Sequence, residues 1–212
     1  MPYGVFKIRY ICRLYFEMKN CKTMKSWKNV IGRLWLFLGF LLLSCPVLAA
    51  AFVHPGVLHT EERMQQIRGL VKGKSDDAYA SYLLLEKHPC AQSDYKMEGP
   101  FDTIARDGKF GYTKSRMERD FSAAYLNALM WRITGDESHA RKAAEVLTAY
   151  ARTLKRIPDT NDAPLLAGLE GFKIIYALEA LKHTWRKMPA EDYEDALRMF
   201  TKVFLPVLET FL

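Results

Sequence analysis

Cysteine is nearly absent beyond the first 49 residues: Cys12, Cys21 and Cys45 stand before that point and only Cys90 after it. A mature domain cut near residue 49 therefore has no intramolecular disulfide and must rest on its apolar core. Excess charge is missing as well. The formal net charge is +7, but residues 1–49 hold 8 of the 31 basic residues and one of the 24 acids, Glu17, which leaves 23 of each beyond them. A basic face for nucleic acid is thereby excluded, since the basicity belongs to the leader. No segment alternates apolar and polar residues over the length of a strand, and neither a Gly-x-Ser-x-Gly elbow nor a phosphate-binding glycine loop occurs. The five histidines, His54, His59, His88, His139 and His183, show no recognised ligand spacing with a cysteine or acid partner, so neither a metal nor another cofactor is expected.

What is present at the start reads as an export signal. Lys25 and Lys28 precede an apolar run from Leu34 to Leu43, followed by small residues from Ser44 to Ala51. The run is short of the roughly 20 apolar residues a membrane span needs and suits a signal peptide. Met24 is the better start, and cleavage is expected between residues 48 and 51. The leader is assigned to 1–49, the working domain to 50–212, and the destination to the periplasm or outside the cell. Leu42-Leu43-Ser44-Cys45 approximates a lipoprotein box, which leaves lipid at Cys45 as an alternative attachment; otherwise the membrane is met only through the signal.

The remainder reads as helices. Thr60 before Glu61 and Glu62 marks an N-terminus, Met64, Ile67 and Val71 follow at helical spacing, and Gly73 stops the run. A second helix is expected from Asp76 to Lys87, with Ser75 as its cap and Pro89 beyond it. A third carries Phe121, Ala124, Tyr125, Ala128 and Leu129 and ends at Thr134-Gly135. A fourth, capped by Asp136 or Ser138, carries Ala143, Val146, Leu147, Tyr150 and Leu154, with Pro158 ending it. Pro164 opens a fifth with Leu165, Leu169, Phe172, Tyr176 and Ala180 on one stripe. Pro189 opens a sixth, which Pro206 is expected to kink or break. Residues 88–115 have no sustained period but hold Tyr95, Phe101, Phe110 and Tyr112. That composition points to an ordered loop over a cleft rather than a linker.

Helices starting near 118, 138, 164 and 190 lie 20 to 26 residues apart. A tetratricopeptide array would return every ~34 residues, so the pattern favours antiparallel helical hairpins in a bundle or an (α/α) toroid. His54-Pro55-Gly56-Val57-Leu58-His59-Thr60, the run from Ala124-Tyr125 to Trp131, Thr134-Gly135-Asp136, Asp162-Ala163-Pro164-Leu165-Leu166-Ala167-Gly168 and Ala177-Leu178-Glu179-Ala180-Leu181 with Trp185 then carry a resemblance. In that order, across residues 52–212, they resemble the N-terminal half of the alginate-lyase-like family. The resemblance implies an all-α fold, an incomplete and here truncated (α/α) toroid. It also implies an acidic, uronate-containing polysaccharide as partner and cleavage by β-elimination.

Such chemistry needs a base for the proton alpha to the carboxylate and a group that neutralises that carboxylate. In the family an Asn-His pair, a Tyr and an Arg do this work. No histidine in this chain follows an asparagine, so no catalytic residue carries over and the chain is expected to be inactive alone. Candidate substrate contacts remain. Arg119 has the fork for a uronate carboxylate and Asp120 stands beside it, while both residues also suit an ordinary helix start. Tyr112 can stack on a sugar ring; Tyr125 can too, although its place on the apolar stripe puts it in the core. Asn161 and Asp162 can meet a sugar hydroxyl or cap the fifth helix. A non-catalytic helical carbohydrate-binding or scaffold protein is the alternative reading.

Overall fold

The computed structural model describes residues 54–56 and 59–210. The leader features, including the apolar run and Cys45, lie outside the described residues. Every described residue lies within the unit Phe52–Leu212. That unit is all-α. Among the described residues the sole β-type pairing is an isolated bridge between Thr103 and Arg156, and no helix is long and apolar enough to cross a membrane.

Helix α1 spans Glu61–Lys72. Thr60 Oγ1 accepts the Arg63 backbone N–H at 3.3 Å, satisfying one of the orphan donors of the first turn. Helix α2 spans Asp76–Glu86, with Ser75 at the cap position but without a side-chain capping bond. Two short 3₁₀ turns, Pro89–Ala91 and Gly108–Thr113, punctuate the long connection that follows. The second runs directly into α3, Lys114–Thr134, which therefore begins earlier than the apolar stripe alone suggested. Gly135 ends α3 at φ 75°, a left-handed conformation that favours glycine, and its N–H reaches the Trp131 carbonyl at 2.8 Å.

Helix α4 spans Glu137–Thr153, and Asp136 caps it by accepting the Ser138 N–H at 2.8 Å. It stops five residues short of Pro158, and Leu154 packs into the core from just beyond its end. Paired contacts set the direction of α4 against α3: Asp120 meets Tyr150 and Asn127 meets His139, so the two run antiparallel. Their shared apolar faces form the centre of the core. There the Phe121 ring lies 4.5 Å from Tyr150 and 6.0 Å from Phe204, centroid to centroid.

Helix α5, Ala163–Ala180, lies parallel to α3, because Ser122 meets Lys173, Tyr125 meets Tyr176 and Trp131 meets Thr184 in register. Its orientation corrects the sequence expectation. Tyr176 and Ala180 are buried, but Leu165, Leu169 and Phe172 are 50, 42 and 46% exposed, while Leu166, Ala167, Ile174, Ala177 and Leu178 face the core. The helix is apolar on nearly every side, so periodicity cannot choose its buried face. Gly171 chooses it: a Cβ there would stand 3.2 Å from the Phe200 ring, so the absent side chain admits that aromatic. A π turn, Leu181–Trp185, continues α5.

Helix α6, Ala190–Met199, passes through a second π turn, Phe200–Phe204, into α7, Leu205–Glu209. Pro206 neither breaks nor ends this run. The wider turn ahead of it accommodates a residue that lacks an N–H and crowds the carbonyl four positions back.

Candidate functional site

Among the described residues the connection 87–113 has the least regular structure, and buried side chains of α3 hold it in place. Asp120 is fully buried. Its Oδ1 accepts the Tyr95 hydroxyl at 2.9 Å and the Glu98 N–H at 2.9 Å. Its Oδ2 accepts the Gly99 N–H at 2.8 Å and the Tyr150 hydroxyl at 2.7 Å. Burial and the adjacent carboxylate push both phenols far above the ordinary tyrosine range. Gly99 is required by this closeness, because a Cβ at that position would fall 2.4 Å from Tyr150 Oη. Two helical turns on, Asn127 Nδ2 shares its hydrogens among the carbonyls of Cys90, Gln92 and Ala123. Its Oδ1 faces His139 Nδ1 at 2.7 Å, which makes that nitrogen the protonated one.

The far end of the connection is fixed from within. Thr113 Oγ1 accepts the Ala105 N–H and donates to the Phe110 carbonyl. Above this anchored base the candidate residues take different places. Tyr112 is 62% exposed, edge-on to Phe101 at 6.3 Å. Arg119 forks onto Glu98, with Nε at 2.5 Å and Nη2 at 2.8 Å from its two oxygens. That bidentate bond, with the arginine charge, holds the Glu98 carboxyl below its ordinary range. Asn161 lies exposed in the turn before α5. Asp162 occupies the cap position of α5 but makes no capping bond; its Oδ2 lies 3.8 Å from Arg106 Nε instead. Arg106 also donates to Glu118.

Two further groups line the surface between α3 and α5. Glu170, almost wholly buried, accepts Lys173 Nζ at 2.9 and 3.1 Å, and the same ammonium reaches Ser122 Oγ at 3.1 Å. Burial raises the Glu170 carboxyl, opposed by the lysine. Tyr125 is half-buried among aromatic neighbours, 4.8 Å from the Tyr176 ring and 5.5 Å from Phe172, with its hydroxyl 3.4 Å from His59 Nε2.

At the opposite end of α3, an open cleft of about 560 Å³ is lined by His54, Glu61, Arg68, Trp131, Arg132 and His183 among others. The volume is in the range of small-molecule sites. Glu61 takes up both arginines there: Arg68 reaches it at 2.5 Å and the buried Arg132 at 2.9 Å. Two of the histidines, far apart in sequence, meet here. The His54 and His183 rings stack at 4.1 Å with a 6° interplanar angle, and both approach Glu179. Sequence reasoning missed this group because 125 residues separate His54 from Glu179. The one local signal was Glu179 and His183 four apart on a helix, where side chains share a face.

These elements define a class, an all-helical domain with a polar, aromatic-edged surface anchored on its longest helix. Comparison supplies the family. The family model described as alginate lyase matches residues 72–207, and the chain belongs to that family. An exo-oligoalginate lyase of Saccharophagus degradans is 29% identical over 129 residues, covering 60% of this chain and 17% of the relative. The match thus spans under a fifth of that relative's length. No solved structure matches.

Proposed function

We propose that this chain supplies part of the helical framework and substrate surface of an exported polysaccharide lyase acting on a uronate-containing polymer by β-elimination. Membership of the alginate lyase family carries this reading, and the similarity to an exo-oligoalginate lyase supports the substrate class. The toroid belongs to the same proposal. Parallel α3 and α5, with α4 antiparallel to α3, support that part of the proposal, and the exposed apolar stripe of α5 suits a helix with neighbours on two sides.

In this account Tyr112, Arg119 and Asn161 meet the polymer, while Asp120 and Asp162 hold the surface in shape. Arg119 is the main carboxylate contact: a uronate carboxylate exchanges with Glu98 on the same guanidinium fork, a substitution of one bidentate partner for another. The same proposal assigns no elimination step to these 212 residues, which contain no Asn-His pair. Calorimetry with an alginate oligosaccharide tests the surface. Binding of the uronate oligomer over a neutral glucan of equal length is expected, weakened about tenfold in Arg119→Ala, in line with loss of a charge-assisted fork. Equal affinity for both sugars would overturn the reading.

A further inference from the structure

The cluster at the end of α5 has a composition that the lyase reading does not use. Its members are two imidazoles and one carboxylate. His54 Nδ1 donates to Glu179 Oε1 at 2.5 Å, and His183 Nε2 lies 3.6 Å from Glu179 Oε2. The three candidate ligand atoms all lie within 4.8 Å of one another. Each oxygen of one carboxylate is therefore matched to a nitrogen of a different ring.

Three features make this more than a chance meeting of polar groups. Glu179 and His183 stand four residues apart on the α5 helical run, which fixes their common face before any third ligand arrives. The carboxylate is itself held, since the Gly56 backbone N–H donates to Oε1 at 3.2 Å; such outer support of a ligand sets its orientation. Finally, the cleft beside the cluster is lined by both His54 and His183, so water has access to a further coordination position. The positive charge of that cleft is met by Glu61, which pairs with Arg68 and Arg132, and Glu179 remains the carboxylate facing the two rings.

We propose that His54, Glu179 and His183 form a three-ligand site for a zinc-class divalent ion, with its fourth position open to the cleft. Two imidazole nitrogens and one carboxylate oxygen are a recognised three-ligand set for zinc. The nitrogen donors exclude calcium and magnesium, which take oxygen ligands. Ligand bonds of about 2.0–2.2 Å require the ion to replace the direct His54–Glu179 hydrogen bond. His54, the most exposed of the three at 41%, is the side chain that shifts to admit the ion. The bound ion clasps the entry segment 54–56 to the end of α5, two parts of the chain that share no local sequence.

The test is zinc titration of the full chain against a chromophoric competitor, with Cys12, Cys21 and Cys45 replaced by serine so that leader thiols cannot bind the ion. Expected are one zinc per chain, a thermal transition raised by zinc but not by magnesium, and a visible spectrum of four-coordinate geometry with cobalt(II). His183→Ala and Glu179→Gln each weaken zinc binding by more than about tenfold, whereas His88→Ala leaves it unchanged. Should Glu179→Gln prove unstable, His54→Ala serves in its place, because His54 is the most exposed of the three ligands. Zinc affinity equal to the parent in His183→Ala and His54→Ala, or no zinc retained by the parent, overturns the proposal. Neither outcome bears on polysaccharide binding, so the two readings fail separately.

Discussion

Removing the Asp120 carboxylate strands four donors at once: the hydroxyls of Tyr95 and Tyr150 and the backbone N–H groups of Glu98 and Gly99. A buried donor without a partner costs about 1–3 kcal/mol, so Asp120→Ala is expected to lose about 3 kcal/mol or more of stability in urea unfolding. Asp120→Asn recovers little of it, because its amide nitrogen must face one pair of these donors. A loss under about 1 kcal/mol, the scale of an ordinary surface change, would contradict the anchoring role. The sequence showed Asp120 as a helix-start acid beside Arg119. Its burial was hidden because the four donors come from residues 21 to 30 positions away.

His139 provides the pH dependence at this scale. Burial lowers its imidazole from the ordinary value, with the Asp136 carboxylate opposing the shift. The folded state therefore favours the neutral ring, while the unfolded chain takes up a proton near the ordinary value of about 6.5. Stability from this group is complete above that value. It falls as pH drops through about 6.5 toward the lowered folded value, and levels off below it. His139→Gln keeps a donor for Asn127 Oδ1 and removes the titration. Its stability is expected to decline less than the parent's between pH 7 and 5, measured by denaturant midpoint, and an unchanged slope would contradict the assignment.

Among the elements, three helix ends were legible in the sequence, because capping is local chemistry, whereas Ser75 and Asp162 stand at cap positions without a side-chain capping bond. Thr60, Asp136 and Gly135 each do in the structure what their residue types suggest. Faces were legible for α4, whose polar residues leave one apolar side, and illegible for α5, which has several. The choice there depends on Gly171 and the arriving Phe200 ring, a tertiary fact. Two neighbouring leucines test the corrected face. Leu166→Ala is expected to cost about 2–4 kcal/mol as a core truncation, and Leu165→Ala less than about 1 kcal/mol as a half-exposed one. Reversed magnitudes in thermal or chemical unfolding would restore the face that periodicity alone suggests.

For the molecule as a whole, the all-α class and the family were readable from helix spacing and ordered short motifs, since both are properties of the linear chain. The surface was readable only in part. Tyr112 and Arg119 are exposed side chains whose types already suggest sugar contact, whereas the His54–Glu179–His183 group exists only once the entry segment reaches α5. The proposed zinc site and the proposed carbohydrate surface lie toward opposite ends of α3, so each can be altered without touching the other's residues.

We propose that these 212 residues provide lyase framework and substrate contact without elimination chemistry. The most direct measurement is the ultraviolet absorbance of unsaturated uronate while the purified chain is incubated with alginate and glucuronan. No rise above the polymer alone is expected, with the chain shown to be folded by circular dichroism. A sustained rise proportional to chain concentration would contradict it and place a catalytic group among residues present in this sequence.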